Sequence, residues 1–203
     1  MPTTTFYNLP APKRARLTAA IVDEFARVPF EQVSINQIVQ NAGISRGSFY
    51  QYFSDKRDML LYVLDDYRQQ MTRHVLCSLQ DGDGDLFVLF AGMLDFCIQF
   101  GTDPKTYGFC KNLFADAKLG CGFVLAPPEE HLPQEILEAL ADGVNWQTLR
   151  VRTRDDIYEM IEIMALLTKD AMTHIFRDID RCEEIRRQYL HRLELVRRGF
   201  ALV

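Results

Sequence analysis

The sequence predicts an all-α protein, with a three-helix N-terminal head carried on a larger helical domain. Three observations predict it. Apolar residues recur at three- and four-residue spacing along most of the 203 residues, the period of one helix face. No stretch of any length alternates apolar and polar residues as a half-buried strand does. Serine, proline and glycine stand where such helices would begin and end. With 48% hydrophobic and 25% charged residues the chain can bury a core, which sets it apart from disordered sequences. No apolar run approaches the roughly 20 residues of a membrane-spanning helix. The N-terminus lacks an apolar stretch after a basic start, so no secretory signal is expected and the cytoplasm is the expected address.

Residues 1–12, with Pro2, Pro10 and Pro12, are expected to be a flexible arm. A first helix from Lys13 to Arg27 carries Leu17, Ala20, Ile21 and Phe25 on one face and stops at Val28-Pro29. Ser34 is placed to cap a short second helix bearing Ile35, Ile38 and Val39, which Gly43 closes. Ser45 caps a third, Arg46 to about Phe53, and Ser54-Asp55 opens a long fourth through Met71. The head is thus assigned to residues 13–55 and the helical domain to residues 56–203. Helices are expected near 85–100, 104–119, 134–141, 154–177 and 182–198, with an irregular stretch from Gly120 to Pro133. The acidic run at 81–85 resembles the start of a calcium loop, but Leu86 and Gly92 occupy positions that such a loop gives to Gly and Glu, so a solvated turn is expected.

Val33 to Leu60, VSINQIVQNAGISRGSFYQYFSDKRDML, is the informative stretch. Two short helices joined by a tight Gly-containing turn make a helix-turn-helix, whose second helix enters the major groove of DNA. Ile35, Ile38, Val39, Ala42, Ile44, Phe49 and Phe53 would lock the helices together. Ser45, Arg46, Ser48, Tyr50, Gln51 and Tyr52 would then face outward, with no acidic residue among them. Arg pairs with guanine, Gln with adenine, and hydroxyls reach phosphates. Gly47 removes a side chain where DNA backbone would approach. Taken singly, each of these residues could equally be solvating a helix surface; it is their combination at this spacing that points to DNA.

GISRGSFYQYFSDKRDML resembles the recognition-helix signature of the TetR (tetracycline-repressor-like) family: a G-[IV]-S turn, a small residue before an aromatic Tyr, a Phe, then Ser-x-Lys. The match spans residue 13 to about 62, and the rest fits in helical pattern. The resemblance implies a transcriptional regulator, by family habit a repressor, that binds a palindromic operator in double-stranded DNA as a homodimer. It implies that Ser34 and Ser45 cap helices and touch phosphates, that Arg46, Ser48, Tyr50, Gln51 and Tyr52 meet bases or backbone, and that Lys56 meets a phosphate. Position 51, often aromatic in the family, is Gln here, which favours base reading.

The same resemblance implies that the last two helices pair with their copies in a four-helix bundle. Their apolar stripes run through Ile157, Met160, Ile161, Met164, Leu167, Ala171 and Ile175, and through Ile185, Tyr189, Leu193, Val196 and Phe200, although burial inside one monomer would account for both. It further implies a cavity for a small, mainly apolar effector, with Met93, Phe96, Phe100, Tyr107, Phe114, Trp146 and Tyr158 as candidate lining. Core packing accounts for the same residues. Asp95, Asp116, Lys118, His174 and Tyr158 are candidate polar anchors.

Against an enzyme stand four scattered histidines, no HExxH, no G-x-S-x-G and no nucleotide-binding glycine motif, so neither catalysis nor a cofactor is expected. Cys77, Cys97, Cys110, Cys121 and Cys182 form no C-x-x-C pair, which leaves neither a zinc site nor a disulfide framework in prospect. The alternatives to a regulator are a helical protein-binding or sensor protein that keeps a vestigial helix-turn-helix, and an enzyme.

Overall fold

The computed structural model describes residues 2–104, 106–115 and 134–201. Among them the protein is helical, and its one β contact is an isolated bridge between Leu149 and Ala201. The helices are α1 (Thr4–Tyr7), α2 (Ala11–Arg27), α3 (Ile35–Ala42), α4 (Arg46–Tyr50), α5 (Lys56–Asp81), α6 (Leu86–Thr102), α7 (Tyr107–Ala115), α8 (Gln134–Gly143), α9 (Arg154–Arg177) and α10 (Cys182–Phe200).

The local chemistry sets most boundaries. Pro12 stands in the first turn of α2, where its missing N–H costs nothing. Ser34 accepts from Gln37 N–H and Ser45 from Ser48 N–H, capping α3 and α4. Gly43 closes α3 at φ +66°, a left-handed conformation that favours glycine. Asp55 caps α5, and Thr153 with Asp156 forms a reciprocal capping box on α9.

The expected flexible arm is not what the fold contains. Phe6 is fully buried, ringed by Tyr52, Phe53 and Tyr62, and residues 4–7 form the short helix α1. The prolines that suggested flexibility only set the segment off from α2. Its apolar Phe6 has a socket to fill.

The 26 residues of α5 make a rod about 39 Å long, at about 1.5 Å per residue. It starts in the head and ends beside α8, where Gly143 meets Leu79. In the body α9 is central, packed on α6, α7, α8 and α10. It buries Ile157, Met160, Ile161, Met164, Ala171 and Ile175. Within that apolar core Thr168 and Tyr189 place their hydroxyls 2.8 Å apart, and the carbonyls of Met164 and Phe90 accept from them. This satisfies two buried hydroxyls that would otherwise be costly.

The helices α6 and α9 cross closely at Gly101, where an added Cβ would overlap the Phe176 ring. Phe176 also stacks on Phe114, ring centres 4.7 Å apart, so it has little room to retreat. Gly101→Ala is therefore expected to destabilise the body by about 1–3 kcal/mol through overpacking. A lowered urea midpoint with unchanged helical content would show it.

Candidate nucleic-acid interface

Each exposed side chain of the head is set by a buried one behind it. Phe49 and Phe53 are fully buried, and with Ile38, Val39 and Ala42 they seat α4 against α3. The connection into α3 is held by Glu24, whose carboxylate is buried at 2% exposure. Arg27 donates to both of its oxygens at 2.8 Å, and the backbone N–H of Ser34 donates to Oε1 at 2.9 Å. One carboxylate thus ties the end of α2 to the first residue of the helix-turn-helix. Nothing in the sequence singles out Glu24, because a lone acid near the end of a helix carries no spacing signal.

Most of the site residues expected from the sequence come together on one face. Arg46 is exposed on α4; one guanidinium nitrogen donates to Asn36 Oδ1 at 2.8 Å and the other to the Tyr50 hydroxyl at 3.4 Å, with the group 5.9 Å above the Tyr50 ring. Asn36, another residue the sequence reading passed over, therefore joins the face from α3. Ser45 and Ser48 place their hydroxyls 2.9 Å apart. Tyr50 and Gln51 are exposed and Ser34 is half-buried under its capping bond. Lys56 is half-buried at the start of α5, its ammonium donating to the carbonyl of Glu31 at 3.2 Å. Among the described residues a Cβ at Gly47 would find only Ser45 Oγ, at 3.9 Å, so none of them needs that position to be small.

Tyr52 is a correction. Expected to face outward, it is 4% exposed and lies against Phe6. It lies past the end of α4, in the turn at Gln51 and Tyr52, where the chain no longer follows the helix face. Its ring belongs to the core.

Electrostatically the face is permissive to an anion. Residues 34–53 contain no carboxylate. Of the acids beside them, Glu24 is occupied by Arg27, Asp55 accepts from Asp58 N–H, and Asp58 accepts from the backbone and hydroxyl of Ser54. Arg46 supplies a planar donor fork beside polar hydroxyl and amide groups, the mixture suited to phosphates and base edges.

Residues 17–63 match the family model described as bacterial regulatory proteins, tetR family, and residues 85–200 match the tetracyclin repressor-like C-terminal domain. The chain belongs to the TetR family. Residues 17–63, the part matched to the family's regulatory model, contain the helix-turn-helix. Its relatives include an HTH-type transcriptional regulator of Staphylococcus aureus, 31% identical over 81 residues, which are 39% of this chain and 43% of that protein. Another, from Lactococcus lactis, is 28% identical over 51% of this chain and 53% of its own. The chain spans about half the length of these curated relatives. Among solved structures, a TetR-family regulator from Pectobacterium atrosepticum superposes with TM-score 0.65 at 20% identity, covering 94% of each chain. SmeT, the repressor of the Stenotrophomonas maltophilia multidrug efflux pump SmeDEF, superposes with TM-score 0.67 at 13% identity, covering 93% of this chain and 90% of SmeT. Both share the TetR fold.

The effector residues expected from the sequence do not line one site. Met93, Phe96 and Phe100 share a face of α6; Phe96 stacks on His74 and Phe100 packs on Tyr67 of α5, each with ring centres 4.4 Å apart. Phe114 stacks on Phe176, near the C-terminus of α9, and Tyr107 is half-buried at the start of α7. Tyr158 stands at the other end of α9, roughly 27 Å from Phe176 along the axis at about 1.5 Å per residue, and its hydroxyl accepts from Arg154. Trp146 follows α8 and donates to the carbonyl of Ala141. Periodicity places residues on faces but does not say which end of a long helix they share. Of the polar anchors, Asp95 is bound by Arg186 and His174 lies 3.4 Å from Asp170, while Asp116 and Lys118 lie outside the described residues.

Arg27 holds the Glu24 pKa below the ordinary carboxylate value, with burial opposing and the Ser34 N–H adding to the lowering. The folded pKa being the lower one, this stabilisation is complete above the unfolded value of about 4.3 and is lost as pH falls through the folded value. Glu24→Gln is expected to cost the head about 1–3 kcal/mol at neutral pH, the range for hydrogen bonds to charged groups. It should also flatten the acid limb of stability against pH. Thermal melts from pH 7 down to pH 3 would check both.

Proposed function

We propose that the protein is a homodimeric repressor that binds a palindromic operator in the cytoplasm and is released from it by a small, mainly apolar molecule. The observation that carries the DNA reading is the carboxylate-free face of Asn36, Arg46, Ser48, Tyr50 and Gln51, with open space over Gly47. Ser34, Ser45 and Lys56 serve as phosphate contacts at its edges. SmeT, which shares the fold, is a repressor, and the sign of regulation is carried over from it. A regulatory rather than an enzymatic role accords with this face and with the family.

Dimerisation has a surface available. The stripes expected from the sequence are largely consumed inside the monomer, where Ile157, Ile161, Ile185 and Tyr189 are buried. A second face is left over: Ile163 and Leu166 on α9 and Leu195 on α10 are 40%, 59% and 52% exposed. Glu159 flanks the first pair and His191 the third, all exposed. A two-fold pairing sets α9 of one copy beside α10 of the other, covering these side chains in a four-helix bundle.

The effector reading narrows to Met93, Phe96, Phe100, Tyr107 and Phe114, the group nearer the head. From there two routes lead to DNA. The rod α5 runs directly into the head, and Asn112 of α7 donates to the carbonyls of Phe25 and Ala26 at 3.0 and 2.9 Å, gripping the end of α2. A ligand that shifts α7 pulls on the helix that anchors α3. It acts only through a difference in affinity between two conformations, and a coupling of about 1–3 kcal/mol would change operator affinity roughly 5–150-fold.

Selection from a random pool of duplexes tests the reading. The protein should enrich a palindrome with half-site centres about 10 base pairs, or a multiple of one turn, apart. On that duplex Arg46→Ala should cost about 1–3 kcal/mol and relax one base position, whereas Lys56→Ala should weaken all sequences alike and lower the salt slope by about one. Enrichment of no sequence would refute operator binding. Leu166→Glu should convert a dimer to a monomer in sedimentation at about micromolar concentration, since it places a charge in the apolar centre of the interface. An unchanged dimer would place the interface elsewhere.

A further inference from the structure

We infer that residues 2–9 are a brace for the recognition helix: they hold the C-terminal end of α4 in place, and with it the selectivity of DNA binding. This rests on the DNA-binding reading above but names residues outside the helix-turn-helix.

Past its last residue, Tyr50, α4 gives way to a turn at Gln51 and Tyr52, whose carbonyls lie beyond the helix's own hydrogen bonds. Thr3 supplies donors to both. Its backbone N–H donates to the carbonyl of Tyr52 at 2.9 Å, and its hydroxyl donates to the carbonyl of Gln51 at 2.6 Å. Three residues on, Phe6 inserts its ring among Tyr52, Phe53 and Tyr62, with ring centres 6.3, 5.0 and 4.8 Å away. Phe6 and Phe53 are fully buried, so this contact is as dry as any in the head. The segment is itself held: Arg14 of α2 donates to the carbonyl of Tyr7 at 2.8 Å, and Tyr62, on the far side of Phe6, lies 3.1 Å from the Thr18 hydroxyl. The brace therefore joins α2, the end of α4 and the start of α5, and Gln51, whose side chain is exposed for base reading, has its own carbonyl fixed by Thr3.

Thr3 and Phe6 are positioning residues on this account, with no contact to DNA of their own. Losing them loosens base readout while leaving phosphate contacts intact. Selectivity should fall while the salt dependence, which counts phosphates, stays the same.

The test uses the full-length dimer with Thr3→Val, Thr3→Ser, Phe6→Ala and Phe6→Leu. Amide hydrogen exchange at residues 49–53 should quicken in Thr3→Val and Phe6→Ala and recover in Thr3→Ser and, in part, in Phe6→Leu, with α9 and α10 unchanged. The ratio of affinity for the duplex enriched by the wild-type protein to affinity for a scrambled duplex should fall about tenfold in Phe6→Ala and about two- to fivefold in Thr3→Val, the scale of one lost hydrogen bond. The salt slope should not move. Unchanged exchange at 49–53, or an unchanged ratio, overturns the brace. A slope reduced by about one overturns it, because the segment would then be setting a cationic phosphate contact elsewhere in the head rather than base readout alone. If the wild-type protein enriches no duplex, the DNA-binding reading fails, and the exchange measurements still decide whether the segment holds α4.

Discussion

A helix as short as α4 has too few internal hydrogen bonds to hold its own shape in water, and most of the head can be understood as the means of holding it. Behind it Phe49 and Phe53 are fully buried in the core of the head, where α4 packs on α3. Before it Gly43 makes the left-handed turn and Ser45 caps the first amides. Beyond it the chain passes through Asp55 into a helix long enough to be stable by its length and packing. Only with that support does an exposed arginine keep one orientation, tethered between Asn36 and Tyr50. Base reading depends on such fixed geometry, because paired hydrogen bonds tolerate little displacement.

The head in turn is held to the body at more than one point. The rod α5 carries it, and α7 grips the end of α2 through Asn112. Glu24 lies just before the gripped carbonyls on α2, and its carboxylate accepts from the N–H of Ser34, the N-cap of α3. On the proposed effector reading, a displacement of α7 would reach the helix-turn-helix through two short polar links in addition to the apolar packing around α5. Polar links of this kind are directional, so a small shift breaks them outright where apolar packing would slide.

Much of this was legible from the residues, and the reasons are specific. Caps and turns are local chemistry, so Ser34, Gly43, Ser45 and Asp55 marked the helix ends in advance. The outward set Arg46, Ser48, Tyr50 and Gln51 followed from one helical period. Tyr52 did not, because its inward direction depends on where the short helix gives way to a turn and on Phe6 waiting beneath it. Phe6 itself was hidden by the prolines around it, and Glu24 and Asn112 by the fact that their partners lie 10 and 86 or more positions away. The apolar stripes of α9 and α10 were visible, but which face serves the monomer and which is left exposed is decided by α6 and α8, and only the folded chain shows it.

The proposed reading puts the face built around Arg46 inside the major groove, and a crystal structure of the dimer with its selected duplex would show whether it lies there. Expected are α4 of each copy in successive major grooves of one DNA face, roughly 34 Å apart or a multiple of that, with Arg46 and Gln51 against base edges and Lys56 at a phosphate. A complex in which α4 faces solvent, or in which another surface of the protein holds the DNA, would contradict it.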